Sequence, residues 1–313
     1  MIVSAAALED SLAALRAEVT DPRAGLHGPG SAAWRHERDA VIFLGGGRAA
    51  LLQLAHPWVA YAVHQHSRTR DDVIGRFRRT FDNVFAMAFG TLDDAVASAR
   101  RVHRIHAGIT GTVDEDAGAF PRGTPYHAND AASLTWVWAT LVDSVVAVYE
   151  AIGEPLTAGE RDAYYRGARR FARLFGLTPA MLPSTWDAFA AYVDDTAASP
   201  VITVTAPARA MAGFLFGGPL GGAARAVTAA LLPAPVRAQY ALPDGVAVRA
   251  AAAATIAAVR AVRKVTPAAA WDLPAYRDAR RRLRGLPPSR IGKWMEARLF
   301  ALAGRTAGRP GAG

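Results

Sequence analysis

The 313 residues include no cysteine, which excludes disulfides, thiolate zinc sites, cysteine-ligated iron–sulfur clusters and cysteine nucleophiles together. Any metal or cofactor ligand must come from His, Asp, Glu, Tyr or Met. No long uncharged run stands out at the roughly 20 residues that span a bilayer. The best candidate, VAVRAAAAATIAAVRAV, is alanine-rich and interrupted by Arg249 and Arg260, so no transmembrane segment is predicted. The first stretch, MIVSAAALEDSLAALRAEVTD, carries acids early and lacks a basic n-region; it predicts no secretory signal and a cytoplasmic location. Strand signals are scarce too: no Asn-Gly or Asp-Gly pair joins two β-branched runs, and no internal repeat of fixed period is present.

What is present is globular. Hydrophobic residues make up 51% and charged residues 20%, and the length allows one large domain or two ordinary ones. The net charge of +9 sits at one end: residues 250–313 hold 13 Lys+Arg against 3 Asp+Glu, and the rest of the chain 23 against 24. RDARRRLRG, followed by Arg290, Lys293 and Arg298, suits phosphate on a nucleic acid or lipid, or is a solvated helix face. Few aromatics interleave with these arginines, so no specific nucleic acid is expected as partner; peripheral contact of the basic end with anionic surfaces is the remaining partner reading.

Apolar residues recur at helical spacing, predicting helices over 4–18, 37–44, 47–66, 70–89, 92–109, 129–152, 157–175, 184–198, 205–216, 220–232, 244–264, 274–284 and 291–303. Gly45 to Gly47, the FGT at 89–91, Gly153 and the GLTP at 176–179 supply the breaks. The fold class is therefore all-α, with a carboxy-terminal helical extension. The loop 110–128 is the longest non-helical piece, and the Gly/Ala-rich segment 213–231 is the internal seam.

The segment RVHRIHAGITG places two histidines three apart. At about 100° per residue, Ala95, Val96, Ala99, Val102, His106 and Ile109 share one arc, and Asp93, Asp94, Arg100, Arg101 and Arg104 the other. His106 should point into the core and His103 lie at its margin. A buried imidazole is either a core residue satisfied by backbone carbonyls or a ligand. An H-E-x-x-H zinc pattern is absent, and one imidazole without carboxylate companions suits a haem iron better than zinc, since the porphyrin brings four nitrogens. On the preceding helix Ile74, Phe77, Phe81, Val84 and Ala88 form the apolar face, flanked by Arg76, Thr80, Asn83 and Met87. Arg76 and Thr80 suit contact with a propionate, a bound oxygen species or ordered water, or Arg76 makes a surface ion pair; Arg79 points further out.

Five blocks in order, LGGGRAALLQLAHPWVAYAVHQHS, GRFRRTFDNVFAMAFGT, RRVHRIHAGITG, YHANDAASLTWVWATLVDSVVAVYEAIGEPLT and LPSTWDAFAAYV, resemble the family of latex clearing proteins (rubber oxygenases) and MpaB-type oxygenases. The resemblance covers roughly residues 30–235, leaving 1–29 as an amino-terminal helix and lead-in and 236–313 as the basic extension. It implies a single large helical domain with a globin-like core around haem b, and oxidative cleavage of an olefinic bond with a small apolar substrate and dioxygen. It places the proximal iron ligand on His106, and the family's arginine, basic residue and threonine on Arg76, Arg79 and Thr80. Where rubber-cleaving members carry a lysine that approaches the iron, Arg79 cannot do the same, because guanidinium stays protonated and offers no lone pair. Those members also use a glutamate upstream of the arginine, whereas this chain has none between Glu37 and Glu115. Many relatives carry histidine where this chain has Trp138. Both departures point to a substrate other than rubber. His56 matches the family as well, and Pro57 behind it fits a packing role at a helix boundary as readily as chemistry. The expectation is a haem-dependent oxygenase of an unsaturated, isoprenoid-like molecule; the alternative is a non-catalytic haem or apolar-ligand binding protein of the same fold.

Overall fold

A computed structural model of the chain describes residues 1–66, 73–216 and 221–289; the side chains of 73–79 and 81 lie outside that description, as does the helix expected over 291–303. The described residues form helices α1 (Ala5–Glu18), α2 (Ala32–Glu37), α3 (Gly46–Leu54), α4 (Pro57–His66), α5 (Val73–Phe89) and α6 (Leu92–Ala107), then strands β1 (Thr110–Thr112) and β2 (Pro125–His127). Helices α7 (Ala131–Ala151), α8 (Ala158–Ala172), α9 (Trp186–Ala198), α10 (Ala206–Leu215), α11 (Gly221–Leu231), α12 (Ala234–Gln239), α13 (Val246–Val265) and α14 (Pro274–Leu283) complete the chain. The fold is all-α, as its composition predicts.

Most starts are written in the sequence as side-chain caps. Thr91 and Asp94 close a capping box on α6, Thr157 and Glu160 another on α8, and the Asp130 carboxylate accepts from the amides of Ala132 and Ser133 at the start of α7.

Helix α7 is the axis of the core. Its mean hydropathy of 1.5 over a span of 21 residues makes it long and apolar enough to cross a membrane by length and composition, yet 67% of that window is buried inside the protein. This corrects the sequence reading, which looked for such a run only in the segment that became α13. Packing explains its apolarity: α3, a 3-10 turn over Ala40–Gly45, α8 and α9 surround α7. The buried tryptophans find acceptors on neighbouring helices, Trp136 Nε1 at Leu52 O (2.8 Å) and Trp138 Nε1 at Ala168 O (2.9 Å).

One charge interrupts α7. Asp143 pairs with Arg48, whose side chain is 7% exposed and which also donates to Ser144 Oγ (2.9 Å) and to Leu231 O at the end of α11 (2.8 Å). The approach that brings Arg48 there depends on two of the three glycines before it. A Cβ on Gly45 would lie 2.9 Å from Val148 Cγ2, and one on Gly47 would lie 2.1 Å from Thr228 Oγ1, while Gly46 faces open space.

Three local features differ from the sequence reading. The single helix expected over 47–66 is two, because Pro57 starts a new helix and His56 Nδ1 accepts from the amide of Trp58. The loop 110–128 contains an antiparallel pair with Gly111 opposite Tyr126; three-residue strands are too short to show a period of two. The short helices α2 and α12 were not foreseen, and the stretch expected as a helix over 37–44 forms the 3-10 turn instead.

Arg48→Ala should cost about 1–3 kcal/mol in urea unfolding by leaving the partly buried Asp143 unpaired, and pairing Arg48→Met with Asp143→Leu should recover most of that loss.

Candidate functional site

Helices α5 and α6 form an antiparallel pair that carries Arg76, Arg79, Thr80 and His106. Asn83, on α5, fastens it: its Oδ1 accepts from Arg101 Nε (3.0 Å), Arg101 Nη2 (2.7 Å) and Ser98 Oγ (3.1 Å), all on α6. Thr80, one turn before Asn83, is exposed. The side chains of Arg76 and Arg79 lie outside the described residues, so their placement relative to His106 is not described.

On α6 the buried residues are Leu92, Ala95, Val96, Ser98 and Ala99, as the helical phase requires. The phase then overstates depth. Val102, His103 and His106 are all half-buried and Ile105 is 55% exposed, because phase gives a direction and not the distance to which neighbouring elements extend. The two histidines are alike in burial. His103 Nε2 lies 2.9 Å from Val3 O, and its own carbonyl accepts from Asn129 Nδ2 at 3.0 Å, so His103 ties α6 to the amino-terminal segment.

The chain leaving α6 folds back as the β1–β2 hairpin and straps α4. Gln65 donates to Thr112 O (3.0 Å) and Asp114 (3.2 Å) and accepts from the Tyr126 hydroxyl (2.6 Å). Glu115 accepts from the Tyr61 hydroxyl (3.1 Å) and from the amide of Ala206 at the start of α10 (2.8 Å). Burial, reinforced by the Glu115 charge, pushes the Tyr61 hydroxyl up to about 12. His56 sits inside this strapped region against Phe120 and Trp58, and burial lowers its imidazole to about 4. Its Nδ1 caps the start of α4, which fits the packing role at a helix boundary that Pro57 suggests.

Two acids escaped the sequence reading. Glu115 looked like part of a polar loop. Glu37, in WRHERD, sits in a run of alternating charge that reads as surface, yet burial raises its carboxyl to about 7 against the hydrogen bond it accepts from Tyr164. The Tyr164 hydroxyl in turn is raised well above its usual range by burial, then by the charge of Glu37. Trp138 is 2% exposed and packs among Tyr165 and Phe189 with its indole N–H bonded, a core residue.

A polar cleft of about 320 Å³ is lined by Asp39, Glu154, Arg263, Lys264, Thr266 and Trp271. Arg263 bridges Asp39 and Glu154 across it, so the cleft is built around an ionic clasp on α13 and shares no residue with α5 or α6. Among the described residues no group of three His, Cys, Asp or Glu side chains is placed to hold a metal ion. An imidazole such as that of His106 is the kind of donor that a metal arriving with its own equatorial ligands takes from a protein.

Comparison with known proteins gives one result. The family described as "ER-bound oxygenase mpaB/B'/Rubber oxygenase, catalytic domain" matches residues 34–263, well over half of the chain. No curated protein and no solved structure gives a significant match.

Because the Glu37 carboxyl is raised from 4.5 to about 7 in the folded protein, the unfolded chain ionises first. Its stabilising share is full below about pH 4.5 and is lost as the pH rises to 7, a change on the order of 3 kcal/mol. Glu37→Gln keeps an acceptor for Tyr164 and removes that loss. Urea midpoints should show the variant gaining on the parent at pH 8 and not at pH 4.5; an equal difference at both values would refute the raised carboxyl.

Proposed function

The chain belongs to the mpaB/rubber oxygenase catalytic-domain family, and from that premise we propose that it is a haem b-dependent oxygenase that takes dioxygen and an unsaturated apolar, isoprenoid-like molecule. His106 is the proposed protein ligand to the iron. The observation that supports this most is the family match over residues 34–263, a range that contains the RIHAGITG block with His106 on α6.

Haem, when bound, supplies the dioxygen chemistry that amino-acid side chains lack. The work of the chain is different. His106 would hold the iron through one imidazole nitrogen, its ring direction set by α6. Asn83, by holding Arg101 and Ser98, sets the separation of α5 from α6 and so the room between His106 and the residues of α5. Arg76 is proposed to balance a carboxylate or an anionic oxygen species, with Thr80 donating a hydroxyl proton at the same edge. Arg79 acts by charge alone, since a guanidinium has no lone pair to offer a metal. The apolar side chains around them exclude water and position the olefin.

A second reading is supported by the lack of any glutamate between Glu37 and Glu115: a haem or apolar-ligand binding protein that retains the fold without the cleavage. Carbonyl products formed from an unsaturated substrate under oxygen separate the two.

The purified protein, expressed with added haem precursor, should show a Soret band; its absence would overturn the haem assignment. His106→Ala should abolish the band and His103→Ala should leave it, because only the former removes the ligand.

A further inference from the structure

The far end of α5 is held by parts of the chain that lie outside the family-matched range. The last carbonyls of a helix have no intrahelical partner. On α5, Ala86 O accepts from the amide of Gly90 (3.0 Å), Ala88 O accepts from Trp34 Nε1 (3.1 Å), and Phe89 O accepts from Arg282 Nη2 (2.8 Å). Trp34 begins the matched range, but Arg282 lies on α14, well after residue 263.

Arg282 is itself locked. Its Nε donates to Arg23 O (3.0 Å), and Arg23 Nη2 returns a bond to Arg282 O (3.1 Å). Tyr276, one and a half turns earlier on α14, places its ring edge-on to Trp34 (5.5 Å) and to Phe89 (5.8 Å). Its hydroxyl accepts from Arg38 Nη1 at 3.0 Å. On the other side of the α5–α6 turn, Gly25 approaches so closely that a Cβ there would fall 2.1 Å from Gly90 O. Residues 23–25 and 276–282 therefore grip the turn from both sides, backbone to backbone and guanidinium to carbonyl.

The charge at this end of the chain is spent in the same way. Arg277 donates to Ala269 O and Ala270 O, and Arg281 to Pro287 O. Arg282, by contrast, reaches across to Phe89 O on α5.

We infer that α14 is a clamp for the α5–α6 pair, with Arg282 as its positioning residue: by capping Phe89 O it fixes the axis of α5, and with it the relation of α5 to His106 on α6. The first part stands on the contacts alone; the consequence for His106 rests on the function proposed above. The extension beyond the family range is then part of the working site rather than an appendage.

The test uses the full-length protein with Arg282→Ala, Arg282→Lys and, as control, Arg281→Ala. In haem-free protein, amide hydrogen exchange over residues 84–90 should quicken about ten-fold in Arg282→Ala while α7 is unchanged, with part of the protection returned by Arg282→Lys and none lost in Arg281→Ala. Unchanged exchange at 84–90, or equal quickening in α7, would overturn the clamp. If Arg282→Ala does not accumulate, Arg282→Gln, which keeps one donor, carries the same comparison. In protein loaded with haem, azide affinity should shift about five-fold in Arg282→Ala with the Soret intensity retained, and return toward the parent value in Arg282→Lys. An unshifted affinity would overturn the positioning role while leaving the clamp. If the parent protein takes up no haem, the proposed function fails, and the exchange measurement still decides the clamp.

Discussion

The pairing of Arg48 with Asp143 is the constraint around which the helices are arranged. Asp143 is a charged residue on the otherwise apolar body of α7, its side chain 19% exposed, and Arg48 is the partner set against it. Arg48 also donates to the Ser144 hydroxyl and the Leu231 carbonyl. A single guanidinium thereby fixes α3, α7 and the end of α11 in one register. An apolar pair of equal volume would hold the same helices together without specifying how far each slides, so the ion pair contributes uniqueness more than net stability.

From this centre outward, polar groups are used mainly on helix ends. Trp34, Trp136, Trp138 and Tyr240 each direct a buried N–H or O–H to a main-chain carbonyl of another helix. The arginines of α14 do the same at the periphery. That gives the lopsided charge of the sequence a structural use: cations gather where carbonyls are left over at helix ends, which is where the helix dipole favours them. The α5–α6 pair sits at the boundary of these two regimes, with an Asn83 bridge in its middle and capped carbonyls at its turn.

The parts of this organisation that were legible in the sequence are those governed by local rules. Thr91 with Asp94, and Thr157 with Glu160, announce their helices three residues at a time, and the apolar arc of α6 is correct through Ala99. What was illegible depended on distant chain. The depth of His106 is set by how far the neighbours of α6 extend. The break at His56 required knowing that Pro57 begins a helix rather than bends one. Nothing near Glu37 in sequence shows that Tyr164, more than a hundred residues later, would lie against it. The hairpin that straps α4 is held by Gln65 and Glu115, residues whose partners are side chains and amides of other elements. Among the marked residues, the sequence distinguished His106 from His103 by phase, and the structure adds the bond His103 makes to Val3.

The three glycines at 45–47 look interchangeable on the page and are not. Gly45 and Gly47 are each pressed against another helix, whereas Gly46 opens on free space. Under random substitution the middle position would drift without consequence while its neighbours stayed fixed, since a methyl group on either side would push α3 outward and carry Arg48 away from Asp143. Across descendants of this chain, then, the central salt bridge would be guarded by two residues that possess no side chain at all.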